Sequence, residues 1–364
     1  MNCCVKCFVS SEVQSIIKSL DNIGKCDFCG SNNVYIYNLH EDRDKGLDDL
    51  FSDILSIFKL GEDLIADGYP PYKLISIKDE FERKWSVFNN LDGSKIHILL
   101  NLLLEHKHSD KIQLLNNQVG IIEWLNNSYL EENSVLKGCS WEEFVKYIKH
   151  ENRFHSNHIN YEILKEYIAR LTTIIKDDTF FRARISNNEE LEISKMGAPP
   201  PECASAGRAN SEGISHLYLA SDIGTVISEI RPSLSDTVYI GKFPITTDLK
   251  VVDFRLLKSL DVFRFNDPTV YAINLDIFNE MNKAISKPVR SGDSKLDYLP
   301  TQFMVDFIKS LNEEESAGYH GIVYESTLST SGYNLMVFDP DSLHCTRVEK
   351  RAIQTLNYTH IPCV

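Results

Sequence analysis

Between about residues 47 and 175, apolar side chains recur at the spacing of an α-helix. Leu50, Ile54, Phe58 and Leu64 form one stripe, and Ile98, Leu99, Leu102 and Leu103 a second. Tyr161, Leu164, Tyr167, Ile168 and Leu171 form a third. Residues three and four apart share a helix face, so each stripe predicts an amphipathic helix with one side to bury. Pro70-Pro71 punctuates the run, and strand-like alternation is nearly absent from it. The stretch predicts an all-α bundle of about 120–130 residues, an ordinary domain size.

Beyond residue 175 the pattern changes. Short runs at 180–185, 216–220, 237–243, 249–254, 321–324 and 334–338 are rich in β-branched and aromatic residues and predict strands. Helices are predicted between them at 222–230, 268–284 and 300–311, the first with Ser221-Asp222 as its N-cap. Strands and helices mixed in this way imply one α/β domain over 176–364. The expected fold class is α+β in three parts: a small amino-terminal segment at 1–35, an all-α domain at 36–175 and the mixed domain.

Charge narrows the function classes. The 364 residues carry 38 Lys and Arg against 52 Asp and Glu, a formal charge of −14, and residues 176–364 hold −7 of it. A chain without a basic half is a poor general binder of nucleic acid or anionic membrane, so no nucleic-acid partner is expected. No apolar run reaches the roughly 18 residues that span a bilayer. The longest, 96–104, is interrupted by His97 and Asn101. The opening Met-Asn-Cys-Cys-Val-Lys-Cys lacks the basic-then-apolar order of a secretory signal, and a cytoplasmic protein is expected.

Five of the nine cysteines lie in the first 29 residues: Cys3, Cys4, Cys7, Cys26 and Cys29. Cys139, Cys203, Cys345 and Cys363 are scattered. Cys4-x2-Cys7 and Cys26-x2-Cys29 are 18 residues apart, a spacing that suits a four-cysteine zinc knuckle. A two-residue gap lets two thiolates meet one ion from a tight turn, and the second pair completes the tetrahedron. Four sulfur ligands leave no open position, so a structural Zn2+ is expected rather than a catalytic one. Cys3 is an alternative to Cys4 as ligand.

Within the helical stretch, Arg153 and His158 stand in Arg-Phe-His-Ser-Asn-His. The spacing resembles the ribonuclease motif of HEPN proteins, small helical bundles, and implies a histidine that assists 2′-OH attack and an arginine that steadies the phosphate. Phe154 stands where active members carry a polar residue. His106 and His108 read as an exposed helix end.

Four motifs follow in the mixed domain. Phe181-Arg182-Ala183-Arg184 comes first, then Gly207-Arg208-Ala209-Asn210 with Ile214, then Tyr218-x10-Glu229. Last is Tyr324-Glu325-Ser326, followed eight residues later by Asn334. In this order, over about 176–340, they resemble the RES domain family, named after its arginine, glutamate and serine. The resemblance implies a fold similar to that of ADP-ribosyltransferase toxins and chemistry on NAD as substrate. Members cleave the nicotinamide–ribose bond by hydrolysis or phosphorolysis, or transfer ADP-ribose to a protein. The family includes bacterial toxins held by an antitoxin protein, so an antitoxin partner and an anti-phage or toxin–antitoxin context are implied. A homo-oligomer is also expected. The knuckle and helical region look like the HEPN-type extension of a longer subset of the family.

Each residue can be given a role. Cleavage passes through an oxocarbenium-like ribosyl cation, which a carboxylate stabilises; Glu229 is the candidate. Arg182 and Arg208 suit the pyrophosphate, because guanidinium meets phosphate oxygens bidentately. Arg184 shares the parity of Arg182 on a strand and is the alternative family arginine. Tyr218 would stack on nicotinamide or pin the ribose, with Asn210 beside the substrate. Ser326 would bind phosphate or orient the attacking water, with Asn334 supporting its loop. His216 and His320 are weaker acid–base candidates. Neither Gly-x-Gly-x-x-Gly nor a phosphate loop occurs, which argues against a dinucleotide oxidoreductase and a nucleoside triphosphatase. Rival readings are protein ADP-ribosylation, a HEPN ribonuclease or nucleic-acid sensor with the mixed domain as its effector, and an inactive binding module.

Overall fold

In a computed structural model the chain is described over residues 1–287, 294–314, 316–329 and 332–356. Cys363 lies outside the described residues. Packing groups the chain into two compact units, Met1–Gly138 with Lys258–Asp276, and Cys139–Leu257 with Ile277–Val364. This division differs from the segments expected at 35 and 175. Residues 139–175 group with the mixed domain, and 258–276 with the amino-terminal unit.

The amino-terminal unit begins with a three-stranded antiparallel sheet of order β1-β3-β2: β1 (Asn2–Cys4), β2 (Ile23–Gly24) and β3 (Val34–Asn38). Helix α1 (Ser11–Ser19) is capped by Ser10, whose Oγ accepts from Val13 N at 3.2 Å. Short helices follow: α2 (Leu47–Leu55), α3 (Gly61–Ala66), α4 (Ile77–Arg83), α5 (Gly93–Leu104), α6 (Ile112–Asn116) and α7 (Asn127–Asn133). The apolar stripes were expected to build a bundle. In this unit, among the described residues, the chain forms short helices of 5 to 12 residues instead. Rings fill the core: Phe51 meets Phe263 edge-on at 5.3 Å, and Trp85 meets Tyr271 at 5.2 Å. A two-residue ladder joins β4 (Lys59–Leu60) to β5 (Val119–Gly120).

The second unit opens with α8 (Trp141–His150), under a complete capping box from Ser140 and Glu143, and α9 (Tyr161–Arg170). Its centre is an eight-stranded sheet of order β13-β9-β7-β8-β12-β11-β10-β6. The strands are β6 (Thr172–Ile175), β7 (Thr179–Ile185), β8 (Leu217–Ala220), β9 (Thr237–Pro244), β10 (Leu249–Asp253), β11 (Gly321–Glu325), β12 (Tyr333–Val337) and β13 (Arg347–Ala352). Among the described residues, only β10 and β11 run parallel. Three helices flank the sequence of strands: α10 (Ile223–Ile230), α11 (Pro268–Ser286) and α12 (Leu299–Glu314). All six expected strands form, within two residues. β6 and β13 were not expected. No helix among the described residues is long and apolar enough to cross a membrane.

The register decides what each face carries. Asn334 pairs with Ala220, Met336 with Tyr218, and Tyr324 with Asn334. Paired residues share a face, so Tyr218, Tyr324 and Asn334 stand together on one side of the sheet. Their neighbours Leu217, Leu219, Val323, Leu335 and Val337 are buried in the core on the other. α10 packs Ile223, Val226, Ile227 and Ile230 against Ala183, Ala220, Val238 and Ile240. That is the i, i+3, i+4, i+7 stripe of one helix face, and it leaves Glu229 on a flank.

Candidate functional site

A cluster of reactive side chains stands out in each unit. In the first, the Sγ atoms of Cys4, Cys7, Cys26 and Cys29 all lie within 4.8 Å of one another. Cys4 Sγ is 3.9 Å from Cys7 Sγ and 3.5 Å from Cys29 Sγ, and Cys7 Sγ is 3.5 Å from Cys26 Sγ. Four sulfurs about 2.3 Å from a central zinc stand about 3.8 Å apart, so the geometry fits that ion. Gly30, at φ 75°, closes the second turn, and its N–H donates to Cys26 O at 3.2 Å. The cluster contains Cys4 and not Cys3, because adjacent residues of β1 face opposite ways. Cys3 is fully buried elsewhere in the core.

The second cluster forms around Glu229, in the last turn of α10. Its Oε1 accepts from Ser326 Oγ at 2.7 Å and from Asn334 Nδ2 at 2.8 Å. Two donors on one oxygen fix the carboxylate, and its other oxygen has no hydrogen-bond partner among the described residues. The helix is itself anchored. Asp222 accepts from Thr225 N at 2.8 Å as N-cap, while Ser221 N–H donates to Tyr333 O at 2.9 Å. Gly332 permits this close approach: a Cβ there would lie 1.6 Å from Thr225 Oγ1. Ser326 continues the alternation of Tyr324 and is 7% exposed; its Oγ also accepts from Leu328 N at 3.2 Å.

Glu229, Arg182, Tyr218, Tyr324 and Asn334 line two adjoining clefts, of about 250 and 530 Å3. β7 pairs with β9 through seven residues but with β8 only at Phe181 and Ala220. The Arg182 guanidinium reaches β8 beyond that single pairing, where Nη1 donates to Tyr218 O at 3.3 Å. Its Nε is buried without a partner. Burial, with a contribution from Arg184, lowers its pKa to about 10, so it is still a cation at neutral pH. Neither Arg182 nor Glu229 is in an ion pair among the described residues. Burial beside Tyr218 and Glu229 holds the Tyr324 phenol well above its ordinary range, so it is a proton donor at neutral pH.

The larger cleft adds Arg208, Arg231, Lys287 and His216. Arg208 lies over the Tyr298 ring at 5.3 Å, and its Nη1 donates to Ala284 O at 3.4 Å. The loop that carries it is clamped by α12. Gln302 Nε2 donates to Gly207 O at 2.7 Å and Asn210 O at 2.9 Å, while Thr301 Oγ1 donates to Arg208 O at 2.6 Å. Asn210 accepts from Tyr218 OH at 2.6 Å and donates to three carbonyls of its own loop. Its amide thus holds the loop and the tyrosine, a different use from the expected substrate contact.

Residues 179–359 match the family described as RES domain. The carboxy-terminal half of this chain is a RES domain. No curated protein matches the chain. One solved structure, the crystal structure of the M. tuberculosis MbcT–MbcA toxin–antitoxin complex, is similar at 14% identity with a TM-score of 0.31, over 52% of this chain and 91% of that chain. Within the RES domain, Arg184 departs from expectation. It is exposed and its Nη1 donates to Lys195 O at 2.5 Å, so equal parity with Arg182 does not bring it to the cleft. His216 is buried and accepts from Lys309 Nζ at 3.3 Å. Burial, with Lys309 adding to it, lowers its pKa to about 4, which makes it a neutral wall of the cleft. Tyr324, Arg231 and Lys287 were not singled out in the sequence; Tyr324 lay inside a quoted motif, and the others carry no local signal.

The helical candidates fare differently. His158 Nδ1 lies 3.1 Å from Cys139 Sγ, and its ring packs edge-on to Tyr147 at 4.5 Å. Arg153 instead lines a groove with Phe154, Tyr161 and Phe303. His108, expected at an exposed helix end, is half-buried with Nε2 2.9 Å from Asp49 Oδ1.

Proposed function

We propose that this protein is an NAD-consuming enzyme whose RES domain breaks the nicotinamide–ribose bond. The observation that carries this reading is a half-buried cation, Arg182, whose Nε is buried without a partner, sharing one cleft with the doubly held carboxylate Glu229, neither of them in an ion pair among the described residues. A buried charge without a counter-ion is costly unless a ligand supplies one. NAD offers both complements: a diphosphate for the arginines, and a ribose that becomes cationic as nicotinamide departs. Glu229 would stabilise the developing oxocarbenium charge, with Ser326 and Asn334 as positioning residues that hold its Oε1. Arg182 and Arg208 would hold the diphosphate, with Tyr218 and Tyr324 as walls of the ribose and nicotinamide site. In hydrolysis, water adds to the ribosyl carbon, nicotinamide leaves with the bonding pair, and one proton is released.

The family resemblance extends the proposal to a cytoplasmic toxin that depletes NAD and is neutralised by an antitoxin protein. The cysteine spacing supports a structural Zn2+ at the four cysteines, and the resemblance reads residues 36–175 as a HEPN-like extension. The test is to incubate the full chain with NAD labelled in its ADP-ribose part. Nicotinamide release with the label in free ADP-ribose, in a phosphorylated product or on protein identifies water, phosphate or protein as the acceptor. Release no faster than in buffer would remove the proposal.

A further inference from the structure

Helix α10 ends at Ile230, and Arg231 closes it at φ 47° and ψ 60°. This left-handed conformation at a helix end is the usual place of glycine, because a Cβ there crowds the backbone. Pro232 follows and restricts the residue before it further. Glycine would make the same turn without strain, so the backbone gains nothing from an arginine here. A strained position that keeps its side chain points to a use for that side chain.

The cleft supplies one. Arg231 lines the same 530 Å3 space as Arg182, Arg208, Lys287 and Glu229. Its side chain is exposed and has no partner among the described residues; only its N–H is bonded, to Ser228 O at 3.3 Å. Arg208 is buried in the wall and Arg182 half-buried. Arg231 is at the exposed edge, two residues from Glu229 on one helix end.

We propose that Arg231 is a substrate-binding residue that clamps a phosphate of the dinucleotide at the exposed edge of the cleft. The inference rests on the NAD reading and sharpens it. One helix terminus would present a carboxylate to the ribose and a guanidinium to the diphosphate, at a separation set by the strained turn. The enzyme would then favour substrates with a diphosphate over nucleosides that lack one.

Replacing the residue by glycine separates the two roles, because it relieves the backbone while deleting the cation. Binding of ADP-ribose to the full chain is measured by calorimetry, with thermal unfolding followed in parallel. For R231G the dissociation constant is expected to rise roughly 10- to 100-fold, the worth of one charged hydrogen-bonded contact. The unfolding midpoint should rise, not fall, and R231K should recover part of the affinity. With NAD as substrate, the same variant should raise KM and leave kcat nearly unchanged. Affinity for ADP-ribose within twofold of the parent, or a lowered midpoint in R231G, would overturn the clamp. Because ADP-ribose binding needs no turnover, a parent protein that binds it but releases no nicotinamide would sink the NAD-cleavage reading alone. A parent protein that does not bind ADP-ribose at all would sink both.

Discussion

In the four-cysteine cluster the four sulfurs lie within 4.8 Å of one another, three of the pairs at 3.5–3.9 Å, a grouping that one ion would fit. In the RES-domain cleft, among the described residues, Arg182 has a buried Nε with no partner, and Glu229 has one oxygen bonded twice and the other not at all. Both are dense groups of reactive side chains. The first has four sulfur donors and fits an ion that would hold the chain without an open position for substrate. The second carries opposite charges that form no ion pair among the described residues, which fits a site that a ligand completes. Reactive residue types therefore say less about function than whether their bonding capacity is used up inside the protein.

The comparison can be broken at either site. The largest effect is expected at the cysteines. Structural zinc in small domains contributes about 10–16 kcal/mol of apparent binding free energy. Cys26→Ser should therefore lose the metal, read by atomic emission, and expose the amides of residues 1–38 to rapid hydrogen exchange. Full protection in a metal-free variant would show that the cluster is not a structural site.

Glu229→Gln should act in the opposite way. Nicotinamide release is expected to fall on the order of 10³-fold, comparable to removing a main electrostatic contributor, while the unfolding midpoint barely moves. A folded variant with retained activity would place the chemistry elsewhere. Next come Ser326→Ala and Asn334→Ala, each deleting one of the two hydrogen bonds to Glu229 Oε1. Charged hydrogen bonds of this kind contribute about 1.5–3 kcal/mol, so losses of about 10- to 100-fold in kcat are expected, with KM for NAD little changed. Equal losses in both variants would support a shared positioning role; a loss in Ser326→Ala as large as that of Glu229→Gln would give the serine a chemical step of its own.

The smallest effect is a slope in stability. His216 is held neutral in the fold, with its pKa lowered to about 4, whereas in the unfolded chain it titrates near its ordinary 6.5. The unfolded state therefore binds the proton first, and stability present above pH 6.5 is lost as pH falls toward 4. The loss between pH 7 and pH 5.5 is about 1 kcal/mol. In denaturant titrations His216→Gln, which keeps an acceptor for Lys309, should flatten that slope, and an unchanged slope would assign it to other groups.

Much of this was legible beforehand, for local reasons. The four strands around the site and α10 with its Asp222 cap follow from alternation, helical spacing and capping chemistry. The edge strand β13 escaped notice because Arg-Val-Glu-Lys-Arg-Ala carries the charges that protect an exposed edge, and those hide its period. Of the expected stripe residues, Ile54, Phe58, Leu64, Leu99, Leu103, Leu164, Tyr167, Ile168 and Leu171 are buried, whereas Ile98 and Tyr161 are exposed; the stretch forms short helices, and two of these, α8 and α9, group with the RES domain's unit.

The sequence by itself determined the reactive residue types, their order, and the local elements that carry them, because periodicity, capping and a two-residue cysteine gap act over a few residues. Tertiary packing put Arg182 and not Arg184 in the cleft, left Cys3 out of the cluster, and brought Ser326 and Asn334 onto Glu229 from 97 and 105 residues away. It also turned Arg231 to the cleft. These outcomes depend on strand register and on where β7 parts from β8. Register is set by pairing between distant segments and by the burial of a whole face, and neither leaves a mark on any single stretch of chain.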